Sequence, residues 1–197
     1  MYELKNLSNV PANSPSISGS KKPILSPFLR VIDLMVYLKT TETCQLNCSH
    51  CFTSGKNGRK IFFNPDSVID WFHRFHEVVP KIRNGNVAFH GGEPFLAPIS
   101  AMRKVWENCN QLWPNLWWSA TTNLVYNLDD EKRSFMKQAF TQGIATSLDK
   151  VIRFQSQHQE KLWNKNLGIL REDGHNVTVM ISLSRDVLRI DAEDFLK

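Results

Sequence analysis

Five short apolar runs alternate with stretches of helical period along this chain, and that alternation limits the possible folds more than any other feature. The runs are Leu34 to Leu38, Asn86 to Phe89, Trp117 to Thr121, Ile144 to Ser147 and Val177 to Ile181. Each has the length of a strand and is too short for a helix. Between the first two, Val68, Ile69, Phe72, Phe75 and Val79 recur at helical spacing behind Asn64-Pro65, a cap followed by proline at the first helical position, and Pro80 ends the pattern. Pro98 opens a second helix with Ile99, Met102, Val105, Trp106 and Cys109 on one face. Asp129 caps a third bearing Phe135, Met136, Ala139 and Phe140; a fourth runs from about Glu160 to Leu170, and another begins at Asp191. Alternation of this kind predicts an α/β fold of parallel βαβ units with right-handed crossovers and helices covering the outer side of the sheet. Ligands in such folds bind in the loops after the strands.

The unusual polar motifs all fall in those loops. After the first strand come Cys44, Cys48 and Cys51, spaced C-x3-C-x2-C in a chain with only four cysteines. Three thiolates from one loop can hold three corners of a cubic iron-sulfur cluster and leave one iron open to a ligand. A structural zinc site is the alternative, but it wants four ligands, and no second C-x2-C pair follows. Cys109 lies on the apolar stripe of its helix and reads as a buried thiol. His50 sits inside the loop, poorly placed to close the same site. His73, His76, His158 and His175 show no ligand spacing.

After the second strand comes His90-Gly91-Gly92-Glu93-Pro94. Paired glycines let a ligand approach the main chain, and Glu93 offers a carboxylate to a cation such as an α-ammonium; the alternative is a tight turn with a surface glutamate. Asn123 after the third strand, with Ser147 and Asp149 after the fourth, suit the hydroxyls of a ribose, although each alone would pass for a cap or turn residue. Arg153 could meet a carboxylate by a charge-assisted bond, the alternative being an ordinary exposed arginine. Phe52, just past the third cysteine, could pack on an aromatic base, the alternative being a core position.

Residues 1–33, rich in Ser, Pro, Asn and Lys, read as an extended or partly disordered arm, and 34–197 as one core domain. No run approaches a membrane span and the N-terminus lacks the apolar segment of a signal peptide, so the expected home is cytoplasmic and no membrane partner is expected. In reducing surroundings clustered cysteines serve metals or catalysis sooner than disulfides. The net charge of +5 leaves room for nucleic acid or an acidic peptide as partner.

CQLNCSHCF, HGGEP and the later SLD together resemble the radical S-adenosylmethionine (radical SAM) superfamily. The resemblance spans roughly residues 34–190 and is sharpest at the cysteines and at Gly91 to Pro94. In motif style it is similar to the peptide- and protein-modifying branch, the SPASM-like and sulfatase-maturase-like enzymes. It implies a partial (βα)6 TIM-like barrel, here truncated after the fifth strand, with a 4Fe-4S cluster on Cys44, Cys48 and Cys51. S-adenosyl-L-methionine would bind the open iron, with Gly91 to Glu93 receiving its amino group and Ser147 and Asp149 near its ribose or methionine part. The implied activity is reductive cleavage to a 5'-deoxyadenosyl radical that abstracts hydrogen from a peptide or protein side chain. A one-electron donor such as flavodoxin or ferredoxin is implied as partner. A nucleoside, tRNA or small metabolite is the alternative substrate, and a non-catalytic zinc or iron-sulfur module the alternative of another class. The sequence departs from the branch at Leu124, where glycine commonly follows Thr-Asn, and in having no cysteine after Cys109.

Overall fold

A computed structural model describes residues 32–51, 55–141, 143–149 and 152–195. The expected arm lies outside these residues except for Ile32 and Asp33, which open the first strand; Phe52 lies outside them too. Five strands, β1 (Ile32–Thr41), β2 (Ile82–Gly91), β3 (Leu116–Thr121), β4 (Ile144–Ser147) and β5 (Val177–Met180), form one parallel sheet in the order of the sequence. Four helices cross between them: α1 (Pro65–Val78), α2 (Ile99–Cys109), α3 (Asp130–Ala139) and α4 (Gln157–Glu172), and a single turn, α5 (Ala192–Phe195), follows β5. The parallel βαβ units are those the alternation of apolar periods predicts, and together they form the wall of a partial TIM-like barrel, as the resemblance implies.

The starts of the helices follow from local chemistry. Asn64 accepts from the Asp66 and Ser67 N–H groups ahead of Pro65, Asp129 accepts from Lys132, and Ser156 from Gln159; each satisfies an otherwise orphaned donor of a first helical turn. The core forms where the apolar helix faces meet one face of the sheet. Phe72, Met102, Val105, Phe135, Met136 and Leu170 from the helices are fully buried against Val87, Phe89, Trp118, Ala120 and Ile144. Cys109 is buried among them, and burial pushes its thiol up to about 12.

The other face of the sheet is less covered than the apolar strands lead one to expect. On β1, Leu34, Val36 and Leu38 pack on the core, while Met35 and Tyr37 stand 56% and 65% exposed on the opposite face. On β5, Thr178, Val179 and Met180 are exposed. β1 thus has one face on the core and the other open, whereas on β5 the successive exposed residues, which point to opposite faces, leave both faces open. Among the described residues no helix is long and apolar enough to cross a membrane.

Candidate functional site

β1 and β2 run longer than their apolar cores suggest, and that extra length builds the site. Their pairing continues to Thr41 opposite Gly91. Beyond it the Gly92 and Glu93 N–H groups donate to the Thr41 and Thr43 carbonyls, both at 2.9 Å. The entrance to the cysteine loop and the double-glycine turn are thereby zipped together. A Cβ at Gly91, where φ is +140°, would lie 2.4 Å from the Thr41 oxygen, and one at Gly92 would lie 2.0 Å from the Thr43 oxygen. The glycines are therefore required first for the approach of the molecule's own β1 main chain, a use that the sequence reading assigned to a ligand.

At this corner lies a cavity of about 220 Å³. Cys44, Cys48 and Cys51 line it, together with Gly91, Gly92, Asn123, Ser147 and Arg153. Eight of the eleven expected site residues thus converge from the loops after four strands. His90, Leu46 and Met180 also line the cavity; His90 belongs to the HGGEP motif but was assigned no role, and the two apolar residues carried no signal in the sequence. Among the described residues no three His, Cys, Asp or Glu side chains are gathered tightly enough for a single metal ion. The three thiols all line the cavity wall. His50, also on that wall, directs Nε2 to Asp149 Oδ2 at 3.5 Å.

Burial pushes the Cys44 thiol up to about 11, against the hydrogen bond from the Leu46 N–H to its sulfur. Burial raises Cys48 too, with the Arg153 guanidinium pulling the other way. Thiols held protonated at neutral pH must release protons when they take up a metal.

Two expected ligands do not face the cavity. Glu93 is fully buried: Oε1 accepts from the Phe95 N–H at 3.1 Å and the Thr122 hydroxyl at 2.8 Å, and Oε2 from the Asn123 N–H at 2.7 Å. Burial pushes its carboxyl up to about 7, with these donors acting in the opposite sense. The expectation that this carboxylate meets a cation is corrected: its oxygens bind the glycine turn to the loop after β3. Asp149 is likewise fully buried. Its Oδ1 accepts from the Ser182 N–H at 2.9 Å and its Oδ2 from Arg153 Nε at 3.3 Å. The expected ribose contact is corrected to an anchor that holds Arg153 at the cavity and ties together the loops after β4 and β5.

The loop after β3 carries strain. Leu124, standing where the resemblance expects glycine, adopts φ +57° with its side chain fully buried. Asn166 of α4, itself buried, donates to the Leu124 and Tyr126 carbonyls at 2.9 and 2.8 Å, so the turn is held from behind. Nothing in the spacing of α4 marks Asn166 for this task; an amide on an apolar helix face is the only sign.

No family model matches the chain, and no curated protein matches it. Solved structures do. The chain is similar to native anSMEcpe with bound AdoMet at 16% identity and TM-score 0.67, covering 84% of this chain and 47% of that one. It is similar to native anSMEcpe with bound AdoMet and Cp18Cys peptide at 15% identity and TM-score 0.66, covering 84% and 46%. With Streptococcus suis SuiB bound to S-adenosylmethionine the identity is 14%, the TM-score 0.52 and the coverage 84% and 34%. The chain spans less than half the length of these structures. At such identities the likeness establishes the fold, a partial barrel shared with proteins that bind S-adenosylmethionine.

Proposed function

We propose that this chain is the core of a radical SAM enzyme, a cytoplasmic protein that holds a 4Fe-4S cluster on Cys44, Cys48 and Cys51 and binds S-adenosyl-L-methionine beside it. The observation that carries the reading is the convergence of the three thiols and the double-glycine turn on one cavity. The donor set suits the group: three soft thiols on one loop, N–H donors on the first sulfur, and Cys109 held away in the core. When bound, the cluster supplies the electron that cleaves the sulfonium into methionine and a 5'-deoxyadenosyl radical.

The chain's own part is to bind and orient. Gly91 and Gly92, on the cavity wall, offer main-chain carbonyls to the ammonium of the methionine moiety. Arg153, its guanidinium tied to Asp149, offers a charge-assisted hydrogen bond to the carboxylate. Ser147 and Asn123 lie on the same wall for polar contacts with the nucleoside. Phe52 completes the proposed set as a packing surface for the base. An external one-electron donor such as flavodoxin or ferredoxin feeds the site.

The proposed substrate is a peptide or protein side chain. Support comes from the fold shared with anSMEcpe, whose structures include ones with a bound peptide, and from the exposed apolar side chains Met35 and Tyr37 on β1. Anaerobic loading with iron and sulfide, followed by reduction with S-adenosyl-L-methionine present, tests the enzyme reading. Release of 5'-deoxyadenosine supports it; zinc uptake in place of the cluster, or a loaded protein that leaves the sulfonium intact, overturns it.

A further inference from the structure

The side-chain amide of Asn123 is committed within the protein to the first cysteine. Its Nδ2 donates to Cys44 Sγ at 3.3 Å. Nothing about that orientation is arbitrary, because two donors converge on the other end of the same amide: Gln45 Nε2 at 2.9 Å and the Val125 N–H at 2.8 Å both point at Oδ1. Turning the amide over would set an NH2 group against both of them, so Nδ2 is the end left for the sulfur. Gln45 is fixed in its turn, for the same Nε2 donates to the Val125 carbonyl at 2.7 Å. The Asn123 main chain is pinned as well, its N–H donating to Glu93 at 2.7 Å. A buried carboxylate, a glutamine adjoining the cysteine and a strained turn thus converge to aim one N–H at one sulfur. The Leu46 N–H, at 3.4 Å, is a second donor to the same atom.

We propose that Asn123 is a positioning residue for Cys44, whose N–H···S bond draws electron density from the thiolate and raises the reduction potential of the cluster held there. The inference rests on the cluster reading given above and adds to it a use for a residue otherwise assigned to the nucleoside. Hydrogen bonds to cluster sulfurs are among the main ways a protein sets such potentials, and removal of charge density from sulfur favours the reduced, more negative cluster. For a reaction that needs a strongly reducing cluster, a fixed donor here sets how strong a reductant the enzyme requires.

Asn123→Asp separates this bond from its supports. The aspartate keeps an Oδ1 acceptor for Gln45 and Val125, removes the donor on the sulfur and adds a negative charge, which the leucine variant lacks. The experiment is potentiometric titration, followed by electron paramagnetic resonance, of iron- and sulfide-loaded wild type, Asn123→Asp and the uncharged Asn123→Leu. Both variants are expected to titrate at more negative potential than wild type. If the aspartate variant takes up no iron, Asn123→Leu, which removes the same donor and leaves Gln45 and the Leu46 N–H beside the sulfur, carries the test, with a shift in the same direction. Wild type that holds no cluster defeats the cofactor reading and this inference together. Wild type that loads, with variants at an unchanged or more positive midpoint, defeats this inference alone.

Discussion

Replacing Glu93 by glutamine tests whether a buried carboxyl fastens the glycine turn to the loop after β3. Burial raises the Glu93 carboxyl from its ordinary 4.5 to about 7 in the folded protein. Below pH 4.5 the group is neutral whether the chain is folded or not, and its contribution to stability is intact. As pH rises, the unfolded chain ionises first, so stability drains away until the folded carboxyl also ionises near pH 7. At about 1.4 kcal/mol per pH unit the full loss is about 3 kcal/mol, of which about 2.5 kcal/mol falls between pH 5 and pH 8. Glutamine cannot ionise and escapes this loss. It brings a penalty of its own, since one amide hydrogen must face a donor, either the Asn123 or the Phe95 N–H, at a cost of about 1–3 kcal/mol. Glu93→Gln is therefore expected to be the less stable protein at pH 5 and to draw level with wild type, or pass it, by pH 8. Urea unfolding of both proteins at half-unit steps of pH, followed by tryptophan fluorescence, measures the gap directly. A gap that stays constant over that range would refute the argument, because it would mean that the three donors offset burial completely and the carboxyl ionises as it does in water.

Further outcomes follow from the same geometry. Alanine at any of Cys44, Cys48 or Cys51 is expected to abolish iron loading, while Cys109→Ala retains it; loss of the iron absorbance in the Cys109 variant would defeat the three-ligand reading. Leu124→Gly relieves a left-handed backbone worth about 1–2 kcal/mol but empties a fully buried site worth about 2–5 kcal/mol, so a net loss of about 1–3 kcal/mol is expected in urea unfolding. A more stable glycine variant would mean that the packing of Leu124 contributes little. Asn166→Leu leaves two buried carbonyls unpaired and is expected to cost about 2–4 kcal/mol, checked by its thermal midpoint; an unshifted midpoint would show that the turn holds itself. Arg153→Ala is expected to weaken S-adenosyl-L-methionine binding to the loaded protein, read by calorimetry, without loss of iron; unchanged affinity would remove Arg153 from the proposed set.

What could be read from the chain alone was whatever is local. Val68, Phe72 and Phe75 mark the buried face of α1 by spacing, and the Asn64-Pro65 and Asp129 caps locate helix starts within a residue. Strand cores from Leu34 to Leu38 and Asn86 to Phe89 were legible as apolar runs. Their extensions to Thr41 and Gly91 were not, because polar residues there are held by pairing with the neighbouring strand and by nothing local. The candidate site divides along the same line. The cysteines and glycines announce themselves by type and spacing, and position after a strand places Asn123, Ser147 and Arg153 on the cavity that they line. The direction a side chain takes was beyond reach: Glu93 and Asp149 turn inward because donors 29 to 33 residues away, at Thr122, Asn123 and Ser182, draw their oxygens in. An exposed edge such as β5 was hidden for the opposite reason, since a run of Val, Thr and Met looks the same whether or not anything covers it.

The zipper between β1 and β2 also bears on the order of events at the ribosome. All three sulfurs and the turn that faces them lie between residues 41 and 93, with α1 and β2 intervening. At the ~5–20 residues per second of synthesis, the roughly thirty residues from the glycine turn to the turn after β3 take ~1.5–6 s to emerge. For that interval a nascent chain can already present its thiols to the machinery that delivers iron, before the turn after β3 has arrived to close over them.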